Sequence, residues 1–478
     1  MAPATPFSTW TPAKGNTLIS SRFCDTLLPP SFSHNAMNLA ELIDIGLLNN
    51  PSTKQTWAMA RAASAQYGIS LSDFYPNIQF TSQYTRVMGS FGPPTVFSTA
   101  PTAAETSSAA AGGTSAPSTG STSTTGSGLF STTAGPDFEL TYTLFDFGQR
   151  TSAAQAAREA LYFADWSHNQ EIQSVIQTIM DDYYMYLYQQ RVLRSNEANL
   201  ENACASLDAA NQRFALGLAA LGDVAQARTH YLQSKINLTS QKQNVENSFA
   251  QLAVDLGLPA NVGFKVEPMP DEVQADPMLA SVDELVAMAQ NQRQDLLAAQ
   301  ADLRSKDALV VNAQRAVYPV LATSLDIGKY WFQDNTQEPY HWVAELTLSF
   351  PIFQGFFYKN SVKKAVAIRE KSCAQLLQTE LSVIQTVTTS HMGVKTSAQN
   401  LKDTDEYLKA AELEFNIALS SYKAGTKTIL DVLSAQSSLA DARSKKAGAQ
   451  KDWFTSLASL AYATGALCMP ANNQKCRL

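Results

Sequence analysis

The side chains of this 478-residue chain that could carry proton, metal or nucleophile chemistry do not gather into a site. Its five histidines, His34, His168, His230, His341 and His391, are scattered, with no HExxH pair and no cysteine at ligand spacing. The five cysteines, Cys24, Cys204, Cys373, Cys468 and Cys476, form neither a metal spacing nor a disulfide framework. Cys468 and Cys476 stand close enough to pair in an oxidising compartment, and read equally well as two unrelated tail thiols. There is no phosphate-binding loop or nucleophile elbow, since Gly148 in FDFGQR sits at a strand-helix junction without a glycine-rich cradle. An enzyme is therefore excluded, and no cofactor or metal is expected. What remains is a pair of aspartates in two similar phrases, FALGLAALGDVAQA (214–227) and YKAGTKTILDVLSA (422–435). Asp431 in TILD reads as half of a capping box, with an acid favoured at a helix N-terminus, and Asp223 reads the same way.

Those phrases belong to a longer internal repeat. Gly217 and Gly425 stand 208 residues apart, as do Asp223 and Asp431, Gly257 and Gly465, and Phe145 in LFDFG and Phe353 in IFQGF. Upstream the offset is 243, from Pro76 to Pro319 and from Leu42 to Leu285. The first copy thus carries an insertion between Pro76 and Phe145. Composition locates it at 89–135, almost entirely Ser, Thr, Ala, Gly and Pro with Glu105 its only charge. Such a segment buries too little apolar surface to offset its ordering entropy, and a mobile surface loop is expected. The chain divides into an N-terminal extended segment (1–37), repeat 1 (38–260), a linker (261–280), repeat 2 (281–467) and a C-terminal tail (468–478).

Each repeat contains two runs of period-two alternation. Strands are expected at about 77–88 and 137–147, and again at about 320–332 and 341–351, each near the length of a tilted strand crossing a bilayer. Aromatics crowd their ends, at Phe74-Tyr75, Tyr330-Trp331-Phe332, Tyr340 and Phe356-Phe357-Tyr358, as an interfacial girdle requires. Four strands cannot close a barrel. Copies must complete it, as a dimer of eight strands, a trimer of twelve or a tetramer of sixteen.

The rest reads as helix of unusual length. From Gln149 to about Phe214 there is neither Pro nor Gly, a run that spans on the order of 100 Å at 1.5 Å per residue. Lys359 to Tyr422 is its counterpart. Return helices follow, Asp223 to about Asp255 and Thr428 to about Tyr462, with turns at 214–223 and 422–428. In the last helix Ile429, Leu433, Gln436, Ala440, Ala447 and Phe454 form the expected seam. Asp431, Ser434, Ser438, Asp441 and Lys445 take another face. Helices apolar on thin seams and polar elsewhere suit a wall with water on both sides.

Only 16% of residues are charged, and Ser, Thr, Gln, Asn and Ala fill the deficit. The net charge of -7 carries no basic stripe, so nucleic acid is not a partner. No run of about 18 apolar residues could form a transmembrane helix. The opening MAPATPFSTWTPAKGNTLIS lacks the apolar core of a signal peptide. A chain numbered from beyond a cleaved leader is the reading adopted, over a cytoplasmic one.

The residues from about Asn38 to Leu467 resemble the TolC-like outer-membrane factors. The resemblance is carried by LFDFGQR and FPIFQGF at the strand-helix junctions, by FALGLAALGDVAQAR, and above all by YKAGTKTILDVLSAQSSL. It implies a mainly α protein with a membrane β-barrel: a homotrimer whose 12-stranded barrel, set in outer-membrane lipid, continues into a 12-helix periplasmic α-barrel. It implies an exit duct for efflux or type I secretion, docking on a periplasmic adaptor and an inner-membrane RND or ABC pump. Tyr422 and Lys427 would tether the tip through Asp223. Asp431 would face the narrowest ring, with Ser434 one turn beyond, and Gly217, Leu218, Gly425 and Thr426 would meet the adaptor. Three Asp431 carboxylates around an axis would repel, holding cations or raising one another's pKa. Two departures stand out: Lys427 replaces an Arg common in relatives, losing its two-pronged geometry, and Ser434 stands where some carry a second acid. The competing reading is a soluble coiled-coil scaffold with the strands as an accessory sheet.

Overall fold

The computed structural model describes residues 36–88, 130–268, 281–329, 331–332 and 340–468. Most of the expected loop and of the N-terminal segment, residues 269–280 of the linker, and the tail beyond Cys468 with its possible Cys468–Cys476 pairing lie outside these. Cys204 and Cys373 are exposed free thiols.

In chain order the elements are β1 (Ala36–Met37), α1 (Leu39–Asn49), α2 (Pro51–Ser72), β2 (Asn77–Met88), β3 (Phe130–Phe145), α3 (Gln149–Ala215), α4 (Leu221–Asp255) and β4 (Lys265–Val266). Then come α5 (Val282–Gln292), α6 (Gln294–Arg315), β5 (Val320–Lys329), β6 (Trp331–Phe332), β7 (Tyr340–Ser349), α7 (Phe357–Ala424) and α8 (Ile429–Thr464), closed by a 3-10 turn at Ala466–Cys468. An offset of 243 carries Leu39 to Val282 and Asn49 to Gln292, so α1 falls on α5 end for end. An offset of 208 carries α3 and α4 onto α7 and α8 to within one residue. The caps are duplicated too. Asn38 accepts from the Glu41 N–H at 2.9 Å and Ser281 from that of Glu284 at 3.3 Å, each acid reaching back to the cap's own N–H.

The expected bounds shift for identifiable reasons. β3 begins at Phe130, inside the stretch read as loop, because main-chain pairing with β2 runs on to Met88↔Phe130 whatever the side chains are. It stops at Phe145, since Phe147 takes a left-handed φ of 53° that no strand continues. β7 ends at Ser349, before Pro351, which has no N–H to give. Residues 265–266, assigned to the linker, pair in parallel with β1.

The chain divides into two compact units, Met1–Gly68 with Ala153–Val310 and Lys363–Leu478, and Ile69–Ser152 with Val311–Val362. These cut across the two repeats, since each repeat supplies strands that pair with strands and helices that pack on helices.

In the first unit, buried residues, mostly small, recur every seventh position. Ala203 and Ala210 recur on α7 as Ala411 and Ala418; Ala227, Ser234 and Gln241 on α4 match Ala435, Ala442 and Ala449 on α8. A sustained seven-residue repeat is the coiled-coil signature, and small knobs let helix axes approach closely. The seam expected for α8 holds at Ile429, Gln436 and Ala447, which are buried, and shifts by one residue elsewhere: Val432, Leu439 and Trp453 are buried, while Leu433, Ala440 and Phe454 are half-buried. Apolar clusters bracket the helices: one gathers Leu42, Ile45, Ile179, Leu252 and Leu256, another Val383, Val387, Val394 and Trp453.

Two glycines join the copies to their short helices. Gly257, at φ +73°, lies against the Asn49–Asn50 backbone where α1 breaks to α2. Gly465, at φ +78°, lies against Gln292–Arg293 at the α5–α6 break.

The second unit holds an antiparallel sheet in the order β2-β3-β5-β7, with β6 adding to β3. Register sets whole rows of like chemistry across four strands. Phe80, Phe138, Ile327 and Trp342 form one row, and all four are at least half exposed. Thr81, Asp137, Gly328 and His341 form the next, on the opposite face. Among the described residues β2 and β7 each leave one edge unpaired. No described helix is long and apolar enough to cross a membrane.

Two stability predictions follow from the helical unit. A Cβ on Gly257 would stand 2.6 Å from the Asn49 carbonyl carbon, whereas one on Gly465 would stand 3.0 Å from that of Gln292. Both substitutions to Ala carry the left-handed penalty of about 1–2 kcal/mol, and Gly257→Ala should lower the thermal midpoint more than Gly465→Ala. Equal midpoints would contradict the packing described. The second concerns Asp182, which burial pushes up to about 8, helped by a hydrogen bond and repulsion from Asp255 and by repulsion from Asp181. The folded state therefore favours its protonated form. That contribution is complete below the unfolded value of about 4 and disappears as pH rises through about 8. Melting followed by circular dichroism should show wild type losing stability between pH 4 and 8 relative to Asp182→Asn; parallel curves would refute it.

Candidate functional site

The twin phrases form two helical turns, each closed by a left-handed glycine. At the first, the Leu218 N–H donates to the Arg213 carbonyl at 2.8 Å and the Gly217 N–H to that of Phe214 at 2.9 Å, with Gly217 at φ +69°. At the second, the Thr426 N–H donates to Ser421 at 2.9 Å and the Gly425 N–H to Tyr422 at 3.0 Å, with Gly425 at φ +85°. This paired pattern satisfies the last helical carbonyls and needs a residue without a Cβ penalty. Gly217, Leu218, Gly425 and Thr426 are all exposed, as are Leu216 and Leu221 beside them.

The two turns start their return helices differently. Thr428 caps α8: its hydroxyl accepts from the Asp431 N–H at 3.4 Å, while Asp431 Oδ2 accepts from the Thr428 hydroxyl at 2.7 Å and N–H at 2.9 Å. Ala220 has no side-chain acceptor, and α4 relies on Asp223 Oδ2 accepting from the Ala220 N–H at 3.3 Å.

Tyr422 is buried at 2% exposure among Ala210, Ala227, Phe415, Ala418 and Ile429. Its strongest polar neighbour is a residue that the sequence did not single out. The Arg213 guanidinium lies 4.7 Å from the ring centroid and its Nη1 donates to the Tyr422 carbonyl. One cation thus clamps ring and backbone of the second turn from the end of α3. The Tyr422 hydroxyl has no hydrogen-bond partner among the described residues. Burial pushes its pKa up, Arg213 opposes this, and Asp223 adds to it through space. Asp223 therefore lies near Tyr422 without bonding it. Lys427 is exposed and acts on Asp431 through space. The phrase alignment held the one available sign of Arg213: its counterpart 208 residues on is Ser421, so the cation exists in one copy only.

Asp431 is exposed, as is Ser434 one turn on. The Thr428 hydroxyl and N–H hold the Asp431 carboxyl below its ordinary range, with Lys427 adding to the fall. Within one chain the carboxylate is thus ionised at neutral pH and engaged in capping. Behind the tip, polar links join the helices. Lys409 and Lys446 hold Asp405 down to about 2 from 2.7 and 2.6 Å. The Gln436 amide donates to the Asn199 backbone and side-chain oxygens, both at 3.0 Å, joining α8 to α3. Tyr407 donates to Asp441 at 3.3 Å, and Lys445 pairs with Asp441 at 2.8 Å.

A second polar cluster stands in the sheet and holds one of the scattered histidines. His341 Nε2 lies 2.7 Å from Asp326 Oδ1 and 3.5 Å from Asp137 Oδ1. Strand register brings together residues that are 189 or more positions from Asp137 in sequence, and no local spacing announces them. The other histidines stay apart: His168 Nδ1 meets the Thr56 hydroxyl at 2.9 Å, and burial lowers the His230 pKa.

With this geometry in place, similarity to known proteins identifies the family. The family described as Outer membrane efflux protein matches residues 42–258 and 285–466. The chain is 26% identical over 341 residues to outer membrane protein TolC of Salmonella enteritidis, covering 69% of this chain and 68% of that one. It is 24% identical over 425 residues to protein CyaE of Bordetella pertussis, covering 87% and 81%. In fold it is similar to the outer-membrane channel OprN, with a TM-score of 0.75 at 18% identity over 90% of each chain. The outer membrane protein VceC of Vibrio cholerae matches with a TM-score of 0.72 at 18% identity, over 89% of this chain and 96% of the other. The matched segments contain both glycine turns and all four principal strands, and leave out the linker. The chain belongs to the outer membrane efflux protein family, whose members are channels and not enzymes.

Proposed function

We propose that three copies of this chain form an exit duct that passively conducts substrates from an inner-membrane RND or ABC pump and a periplasmic adaptor across the periplasm and outer membrane. One observation carries the reading. The sheet exposes a full row of large apolar side chains from Phe80 to Trp342, with Ile78, Tyr84, Leu346 and Leu348 exposed on the same face, and among the described residues it leaves a strand edge unpaired at each side. An apolar patch of that extent is unusual on a soluble monomer. In lipid every strand N–H and C=O must find a partner, so only a closed barrel satisfies the edges. Three sheets of four strands give a barrel within the known range, with the apolar rows towards outer-membrane lipid and the polar rows inward.

The tip supplies the gate in this reading. Arg213 holds Tyr422, with Asp223 close by, and keeps the second helix pair against the first; Lys427 stays available for a neighbouring copy. Asp431, ionised and exposed, lines the constriction with Ser434. The exposed Gly217, Leu218, Gly425 and Thr426, flanked by Leu216 and Leu221, offer the adaptor an apolar rim. The soluble-scaffold alternative lacks an account of the exposed rows.

Light scattering of the detergent-purified protein should give three times the 51.9 kDa chain mass, with aggregation once detergent is removed. A monodisperse monomer in plain buffer would favour the scaffold. In planar bilayers, Arg213→Ala removes a cation–π contact worth about 0.5–2 kcal/mol and should raise single-channel conductance several-fold; wild-type conductance would discard the clamp. Asp431→Asn, which keeps an acceptor towards Thr428 but loses the charge, should weaken block by trivalent cations. Unchanged block would take Asp431 out of the constriction.

A further inference from the structure

The cluster on the polar face of the sheet has the composition and spacing of a metal site, and it lies within one chain, independent of how copies assemble. Its donors come from three adjacent strands: Asp137 on β3, Asp326 on β5 and His341 on β7. All three ligand atoms lie within 4.8 Å of one another. Around a tetrahedral zinc ion, bonds of about 2.0–2.2 Å set ligand atoms roughly 3.3–3.6 Å apart. The 3.5 Å between His341 and Asp137 already fits. The 2.7 Å between His341 and Asp326 is a hydrogen-bond distance that must open by under an ångström as the metal replaces the bridging proton.

Two further features point the same way. Gly328 sits between Asp137 and His341 in the cross-strand row. A Cβ there would stand 2.4 Å from His341 Cε1 and 2.6 Å from Asp137 Oδ1. The glycine, unfavourable inside a strand, is what lets imidazole and carboxylate converge over it. Like charges also meet across the strands. Glu139 is directly opposite Asp326, and like charges so placed destabilise a sheet.

We propose that Asp137, Asp326 and His341 bind one divalent transition-metal ion of the zinc class, which cross-links β3, β5 and β7. An imidazole nitrogen with two carboxylates suits zinc and its neighbours, whereas calcium and magnesium call for six or more oxygens. Bound metal neutralises the paired acids and ties the β5–β7 hairpin to β3, so it raises the thermal stability of the sheet.

The test uses the full chain purified in detergent, stripped with a chelator and titrated with zinc chloride by calorimetry. Saturable uptake of one zinc ion per chain is expected, unaffected by excess magnesium or calcium, with a higher melting temperature. His341→Gln and Asp326→Asn should each weaken affinity by about tenfold or more, while Glu345→Gln, on the same face, binds as wild type. Zinc-edge X-ray absorption of the wild type gives a readout that does not depend on variants folding: a nitrogen and oxygen shell with an imidazole signature is expected. No saturable uptake, wild-type affinity in both variants, or a shell of water or sulfur would each overturn the site and leave His341 as a counter-ion to the aspartates. None of these results bears on whether the chain forms a duct.

Discussion

A sheet whose outer face is apolar and whose two edges are open is unstable as a separate object in water. The rows from Phe80 to Trp342 and from Ile78 to Leu325 present side chains that water rejects. Among the described residues the unpaired edges of β2 and β7 present main-chain groups that another strand can satisfy. Each of the two defects has its own remedy, lipid for the face and a further strand for the edge. The proposed assembly supplies both at once, which is why sheet and family membership lead to the same duct. It also accounts for the low charge of the chain, since long surfaces then face a neighbour or an enclosed channel and not bulk solvent.

The helical unit solves a different problem, holding helices of 67 and 68 residues in register. Large residues would set their axes far apart and leave gaps at each polar position. Alanine and serine at every seventh position bring the backbones close, and glutamines such as Gln436 and Gln241 then reach main-chain oxygens on the facing helix. Burial is shared over many thin layers, with larger apolar clusters where the short helices pack at α1 and α5 and around Tyr422 at the second glycine turn. Gly257 and Gly465 make those junctions possible by admitting a second backbone where a methyl group would intrude.

At their glycine turns the two repeats have diverged in a way that suits the proposed gate. Phe214 in the first copy is exposed, whereas its counterpart Tyr422 is buried under Arg213. The Arg213 clamp therefore acts on the second turn alone of the two. In the proposed constriction Asp431 would serve two purposes without conflict, because a capping carboxylate is ionised and exposed, and those are also the requirements for meeting a cation.

Much of this was legible in the chain itself. The duplication, its two offsets, the glycine turns, the helix lengths and the alternation of the strands follow from local rules of backbone geometry, capping and periodicity, and these need no knowledge of what packs where. The likeness of YKAGTKTILDVLSAQSSL to a known family added the expected duct. What only the tertiary structure decided are the meetings of distant residues: Arg213 with Tyr422, Gly257 with Asn49, and Asp137 with Asp326 and His341. It also decided which of two adjacent faces of α8 is buried. These depend on register between strands and on the angle between helices, both set by the sum of many weak contacts along the chain. A linear sequence holds that sum but does not display it at any one position.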